Sequence, residues 1–233
     1  MNLFYQPGIP EGIIYLDAEE SRHVVRVLRM SEGDQLNLTD GKGFFYFAKI
    51  TNADPKKCQF KILDRKETQK RNFYIHIAIA PTKNADRIEW FVEKAVEIGV
   101  DEISFILCKN SERKVINLER VEKIAVSAMK QSQQARLPKI NEVVPFQKIL
   151  NSPLDQKFIA YVDSSNPKHL QSAAQLNKKY LILIGPEGDF SNEELELATQ
   201  HGFEKVSLGT NRLRTETAGL VAVQVLGLVN VQN

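Results

Sequence analysis

From residue 73 onward, short apolar runs alternate along the chain with stretches whose apolar positions recur at helical spacing. Strands are expected at Phe73–Ala80, Glu102–Leu107, Phe158–Val162, Tyr180–Ile184 and Lys205–Leu208. Between the first two, Ile88, Phe91, Val92, Ala95 and Val96 fall at i, i+3, i+4, i+7 and i+8, which predicts an amphipathic helix with Gly99 as its stop. Further helices are expected from about Leu118 to Gln134 ahead of Pro138, over Asn192–His201, and along the apolar C-terminal stretch through Leu220, Val223, Leu226 and Val231. Strands of nearly unbroken hydrophobicity interleaved with helices indicate a largely parallel sheet covered on both faces.

The first 70 residues follow another rhythm. Gly12–Leu16, Asp34–Thr39, Gly43–Thr51 and Lys57–Leu63 have β character, and Asp40-Gly41 is a good hairpin turn. One helical stretch, Ala18 to Arg29, interrupts them. It places His23, Val24, Val27 and Leu28 on one side and Arg22, Arg26 and Arg29 on another. Mostly β with one helix suggests a small barrel. The polar run from Asp64 to Asn72 reads as a linker, which gives two domains, residues 1–70 and 73–233.

Composition narrows the class. The chain has 233 residues, 42% hydrophobic and 26% charged, enough for a sizeable core. The N-terminal MNLFYQPGIPEG has neither a basic nor a long apolar region, and no segment nears the ~18 apolar residues of a membrane helix, so a cytoplasmic location is expected. Cys58 and Cys108 form no CxxC, and the four histidines show no ligand spacing, so neither a disulfide nor a metal is expected. Net charge is +2, but residues 109–139 hold eight Lys or Arg against three acids, a local +5 that leaves −3 elsewhere. Arg113, Lys123, Lys130 and Arg136 lie in that stretch. An anionic partner would explain the surplus, and a solvated helix face would too.

Two loops carry the candidate chemistry. IGPEGDFS, residues 184–191, joins an apolar strand to a helix that Ser191 and Glu194 can cap as a box. It has no P-loop lysine and no GxGxxG, so a phosphate cradle is disfavoured. Gly185 and Gly188 would permit close approach of a ligand to the backbone, Pro186 stiffens the turn, and Glu187 with Asp189 would suit a positively charged ligand. Both acids could equally serve the positive end of the helix. The second loop, LGTNRLRTETAGL, again follows a strand and opens a helix, with Thr215 as candidate cap and Glu216 in the first turn. Its arginines, Asn211 and Thr210 sit at the carboxyl edge of the sheet, where α/β proteins bind ligands.

Together these motifs resemble the paired C-terminal motifs of the SPOUT methyltransferase superfamily, and specifically the bacterial ribosomal RNA small subunit methyltransferase E family, which makes N3-methyluridine in 16S rRNA. HVVRVLRMSEGDQLNLTDGKG is similar to that family's PUA-like N-terminal domain, EKAVEIGVDEI to its first SPOUT helix and strand, and SERK with AMKQSQQARLPKI to its middle segment. Gly209-Thr210-Asn211 stands where the family often has Gly-Pro-Arg, so no arginine role passes to Asn211.

The resemblance implies a deep trefoil knot in the C-terminal domain and S-adenosylmethionine as cofactor. It places Ile184, Gly185, Pro186, Glu187, Gly188, Leu208, Gly209, Leu213 and Leu220 near that cofactor. It further implies a homodimer acting on 16S rRNA or the small ribosomal subunit. The charge pattern offers Arg22, Arg26 and Arg29, whose face could equally be an ordinary solvent-facing surface, and Arg113, Lys123, Lys130 and Arg136 to hold that RNA. Arg214 would stabilise charge on the uracil oxygens, and Glu216 would orient Arg214 or accept a proton. A non-catalytic RNA-binding or assembly module with the same domains is the alternative, and it would bind RNA without regard to the cofactor.

Overall fold

The computed structural model describes residues 2–161 and 168–231 and divides into two compact units, 1–70 with 126–137, and 71–125 with 138–233. The sequence reading grouped 126–137 with residues 73–233; the contacts group it with 1–70.

In the first unit, β1 (Leu3–Tyr5) leads through a short 3-10 turn at Ile9–Glu11 to α1 (Ala18–Arg22), then β2 (Gln35–Thr39), β3 (Phe44–Asn52) and β4 (Gln59–Glu67). The sheet runs β1-β2-β3-β4, parallel between β1 and β2 and antiparallel beyond. Alternation along β2 and β3 sends Leu36, Leu38, Tyr46, Ala48 and Ile50 into a core with Phe4, Leu16, Val24 and Phe60. Asp40 makes the hairpin: its Oδ1 accepts from the Lys42 and Phe44 amides at 2.7 and 3.2 Å, its Oδ2 accepts from the Tyr46 hydroxyl at 3.0 Å, and Gly41 takes φ 72°.

Three expectations for this unit are corrected. Gly12–Leu16 forms no strand, only a single bridge from Tyr15 to Gln59. Asp64–Glu67, read as linker, completes β4, because an edge strand pairs through its backbone and needs no apolar side chains. The helix after Arg22 widens to a π turn over His23–Val27, with the Leu28 amide bonded to the His23 carbonyl at 2.9 Å. The extra residue turns Val27 outward to 67% exposure while Val24 stays buried.

Segment 126–137 closes the same unit. The Ala135 carbonyl accepts from the Gly43 amide at 2.8 Å and from Thr39 Oγ1 at 3.2 Å, and the Leu137 amide donates to Gly41 O at 2.9 Å. Gly43 takes φ 112°, a conformation that favours glycine, and the Arg136 guanidinium lies against it, 2.4 Å from where a Cβ would stand. Lys130 pairs with Glu20.

In the second unit come β5 (Tyr74–Ile79), α2 (Ala85–Ile98), β6 (Glu102–Leu107), α3 (Leu118–Gln131, in this unit as far as Ala125), β7 (Lys139–Pro145), α4 (Phe146–Ile149), β8 (Gln156–Ala160), α5 (Leu170–Ala173), β9 (Lys179–Ile184), α6 (Asn192–Gln200), β10 (Glu204–Val206) and α7 (Thr215–Val229). Six strands pair in the order β10-β8-β9-β5-β6-β7, every pair parallel. Val162, the expected end of β8, lies outside the described residues. β7 was not foreseen; its Lys-Ile-Asn-Glu-Val-Val is half exposed at the sheet edge and shows no apolar run.

Both faces of the sheet are covered. From β9, Leu181 and Leu183 join Phe146, Phe190, Leu195 and Phe203 on one side. Tyr180, Ile182 and Ile184 are buried on the other, where α7 packs on β5 and β9 and α2 packs on α7. Asn84 caps α2 by accepting the Asp86 amide, and Gly99 ends it at φ 108°. Gly219 lets α7 approach α2 and β5 closely: a Cβ there would lie 2.5 Å from Phe91 Cε2 and 3.1 Å from Ile79 Cδ1. No helix among the described residues is long and apolar enough to cross a membrane.

His76 on β5 supplies a pH dependence. It is 4% exposed, and its Nε2 lies 2.8 Å from Ser104 Oγ. Burial lowers its pKa from 6.5 to about 4, outweighing the opposite pull of Glu102. As pH falls the unfolded chain therefore takes the proton first, so this contribution is complete above pH 6.5 and is lost down to about pH 4. The loss amounts to about 3 kcal/mol by linkage. Urea midpoints across that range should fall in the wild type and fall less in His76→Gln; parallel declines would assign the acid sensitivity elsewhere.

Candidate active site

The carboxyl ends of the neighbouring strands β8, β9 and β10 open onto a cavity of about 470 Å³. Of the residues expected there, Ile184, Gly185, Pro186, Glu187, Leu208 and Leu213 line it; Gly188, Gly209 and Leu220 do not. Residues that the sequence reading missed complete the wall, among them Arg87 from α2, Ala160 and Tyr161 after β8, and Ala218 on α7.

One hydrogen bond joins the two loops. Thr215, expected to cap α7, is instead its first residue, with Arg214 at the cap position and no side-chain cap. The Thr215 hydroxyl donates across to the Gly185 carbonyl at 3.0 Å. The loop after β10 is thereby pinned to the loop after β9, and both face one space.

The acidic turn is held from outside the cavity. Asp189 sits at φ 62°, and Asn110 Nδ2 donates to the carbonyls of Gly188 and Asp189, both at 3.1 Å. Glu187 Oε1 accepts the Lys83 amide at 3.0 Å. Ser191 and Glu194 form the expected capping box on α6, and Glu194 also takes the Lys109 amide at 2.8 Å. Gly185 is small for a reason other than ligand approach, since a Cβ would meet the Phe190 ring at 3.0 Å. Gly188 likewise faces Asn110, at 3.0 Å.

Beside this cavity lies a second of about 350 Å³, lined by Asp86, Arg87, Trp90, Arg214, Glu216 and Thr217. Only Arg87 and Arg214 appear in both linings. The Glu216 side chain is 8% exposed, and its Oε1 is 3.9 Å from Arg87 Nε. Its Oε2 is buried and has no hydrogen-bond partner. A buried acceptor without a donor is costly, and a ligand that donates to it would remove the cost. The recorded cation beside Glu216 is Arg87, from a helix far away in sequence.

The cations assigned to RNA divide into two groups. Arg22, Arg26 and Arg29 are exposed on the first unit, with no carboxylate at salt-bridge distance among the described residues. Those of 109–139 are mostly engaged. Arg113 donates to the Thr82 and Lys83 carbonyls at 3.1 Å, Lys123 pairs with Glu119 at 2.7 Å, Lys130 with Glu20, and Arg136 Nη1 donates to Lys42 O at 3.1 Å.

Comparison with known proteins agrees with this geometry. Residues 69–227 match the model of an RNA methyltransferase domain and residues 16–63 that of an RNA methyltransferase PUA domain. The ribosomal RNA small subunit methyltransferase E of Buchnera aphidicola (subsp. Acyrthosiphon pisum, strain APS) is 33% identical over 241 residues, covering 96% of this chain and 91% of that protein. The crystal structure of a probable rRNA-methyltransferase from Porphyromonas gingivalis superposes with a TM-score of 0.92 at 48% identity, over 99% of this chain and 98% of the other. That of a ribosomal RNA small subunit methyltransferase E from Neisseria gonorrhoeae, bound to S-adenosyl methionine, gives a TM-score of 0.85 at 26% identity, with coverage of 99% and 98%. With both domain models matched and full-length relatives on either side of them, the chain belongs to the ribosomal RNA small subunit methyltransferase E family.

Proposed function

We propose that this protein transfers a methyl group from S-adenosylmethionine to N3 of a uridine in 16S rRNA. The observation that carries the reading is the cavity shared by two loops that Thr215 ties to Gly185, with the buried, half-satisfied Glu216 carboxylate on the adjoining helix.

The cavity fits the cofactor. Its volume lies in the range of small-molecule sites. Ile184, Pro186, Leu208 and Leu213 would give adenine an apolar bed, and Glu187 in the same lining would supply negative charge for the cationic part of the molecule. A lysine-free, acidic turn is what a sulfonium and an amino group require, and the exposed Arg212 can take the carboxylate. Bound there, the cofactor supplies an electrophilic methyl group.

The chain's own work is on the base. The Glu216 carboxylate accepts the N3 proton, and Arg87 and Arg214 of the same lining stabilise the negative charge that spreads onto the uracil oxygens O2 and O4. The N3 electron pair then forms the new bond to carbon as the sulfur–carbon pair returns to sulfur. Proton transfer precedes methyl transfer, because neutral N3 has no free in-plane pair.

Around this centre we place a PUA-like barrel at 1–70 that orients the rRNA, with Arg22, Arg26 and Arg29 on phosphates. The domain at 73–233 is threaded as a deep trefoil knot, an exception to unknotted connectivity. The protein is a cytoplasmic homodimer, and the exposed Ile98 on α2 and Leu228 on α7 supply apolar surface for it.

Calorimetry tests the reading at its base. Saturable binding of S-adenosylmethionine and no heat with ATP are expected, followed by N3-methyluridine in 16S rRNA by mass spectrometry. Binding of ATP alone would overturn the reading.

A further inference from the structure

We propose that the 350 Å³ cavity is the subsite for the target base and that Arg87, with Arg214, reads the uracil edge alongside Glu216, all three lining it. This rests on the uridine N3 chemistry proposed above. It adds a substrate-contacting residue and a basis for base choice.

The uracil edge presents an acceptor, a donor and an acceptor: O2, N3–H and O4. The cavity wall presents the complement. Glu216 lines the cavity, and its Oε2 is an acceptor with no donor of its own. Arg87, with Nε 3.9 Å from the other carboxylate oxygen, and Arg214 are the cations of the lining. Each guanidinium carries more N–H groups than one carboxylate oxygen can use, so donors remain for O2 and O4. Trp90 on the same wall is 46% exposed, enough ring face for a splayed-out base to stack on.

Cytosine reverses two of the three positions. Its N3 would set a lone pair against the carboxylate, and its amino group would set N–H against an arginine. A site that leaves buried polar groups unpaired with the wrong ligand discriminates more sharply than one that only fits shape. Because only Arg87 and Arg214 line both cavities, the same two side chains stand where base and methyl donor must meet.

The test uses the full-length protein and 16S rRNA carrying either uridine or cytidine at the modified position. Mass spectrometry identifies the product, calorimetry gives cofactor affinity, and binding competition compares the two RNAs. The wild type should prefer uridine RNA in competition. Arg87→Ala should lose most of that preference and slow single turnover on uridine at least tenfold at saturating cofactor. Arg87→Lys should recover part of the rate and little of the preference, since it keeps the charge without the fork. If Arg87→Ala keeps rate and preference at saturating cofactor, Arg87 does not read the base and the proposal is overturned while uridine methylation stands. Absence of N3-methyluridine from the wild-type reaction would overturn both.

Discussion

Replacing Glu216 by glutamine is expected to slow single-turnover methylation of uridine about a hundredfold or more at saturating cofactor, the usual contribution of a proton-transfer group. Glutamine keeps the shape and one carbonyl oxygen but cannot take a proton. The carboxylate also sits in the first turn of α7, where a negative charge favours the helix dipole. If that were its whole role, the substitution would cost at most about 1 kcal/mol of stability and leave turnover nearly intact. The two roles therefore separate cleanly. A melting temperature within a few degrees of wild type, unchanged cofactor affinity and a collapsed chemical rate would assign the proton to Glu216. A near-normal rate would remove it from the reaction.

A comparably large effect on stability should follow from Gly219→Val. The first added carbon already lies 2.5 Å from the ring of Phe91, which is fully buried on α2, so α2 and α7 must separate or the ring must leave its place. Overpacking of this kind costs about 1–3 kcal/mol, and the branched side chain puts valine at the upper end. The consequence reaches the site, because Thr215 and Glu216 ride on the first turn of α7 and Arg87 on the first turn of α2. Denaturant midpoints should fall, and cofactor affinity should fall with them. Gly227 on the same helix has nothing within 4 Å of its missing Cβ, so Gly227→Ala serves as the control and should leave both values near wild type.

The second unit was legible because its signals are local. The spacing of Ile88 to Val96, the apolar run 180–184 and the Ser191 box each specify an element within a few residues, and the structure forms all three. β7 and the end of β4 escaped because edge strands are held by backbone pairing and carry polar side chains. The π turn at His23–Val27 escaped because its one-residue slip changes the phase of a pattern without changing its composition.

The candidate site divides along the same line. The two glycine-bearing loops could be found because each is continuous in sequence, and six of the nine residues expected at the cofactor do line one cavity. Thr215 looked like a cap because only the fold brings Gly185 O within reach of its hydroxyl. Arg87 looked like any charge on the polar face of an amphipathic helix. Nothing near it in sequence marks it, and only the packing of α2 against α7 brings it to Glu216.

The return of residues 126–137 to the first unit sets an order on how the protein can be made. An N-terminal fragment ending at Lys70 would contain the four-stranded sheet but not the Ala135 carbonyl that receives the Gly43 amide, nor the lysine that neutralises the buried Glu20. During synthesis that unit therefore waits, open at its hairpin, until Leu137 has emerged from the ribosome, by which time β5, α2 and β6 have emerged too. The two units complete their folding as interleaved events, and a proteolytic cut between residues 71 and 125 in the nascent chain would leave the N-terminal piece unable to finish.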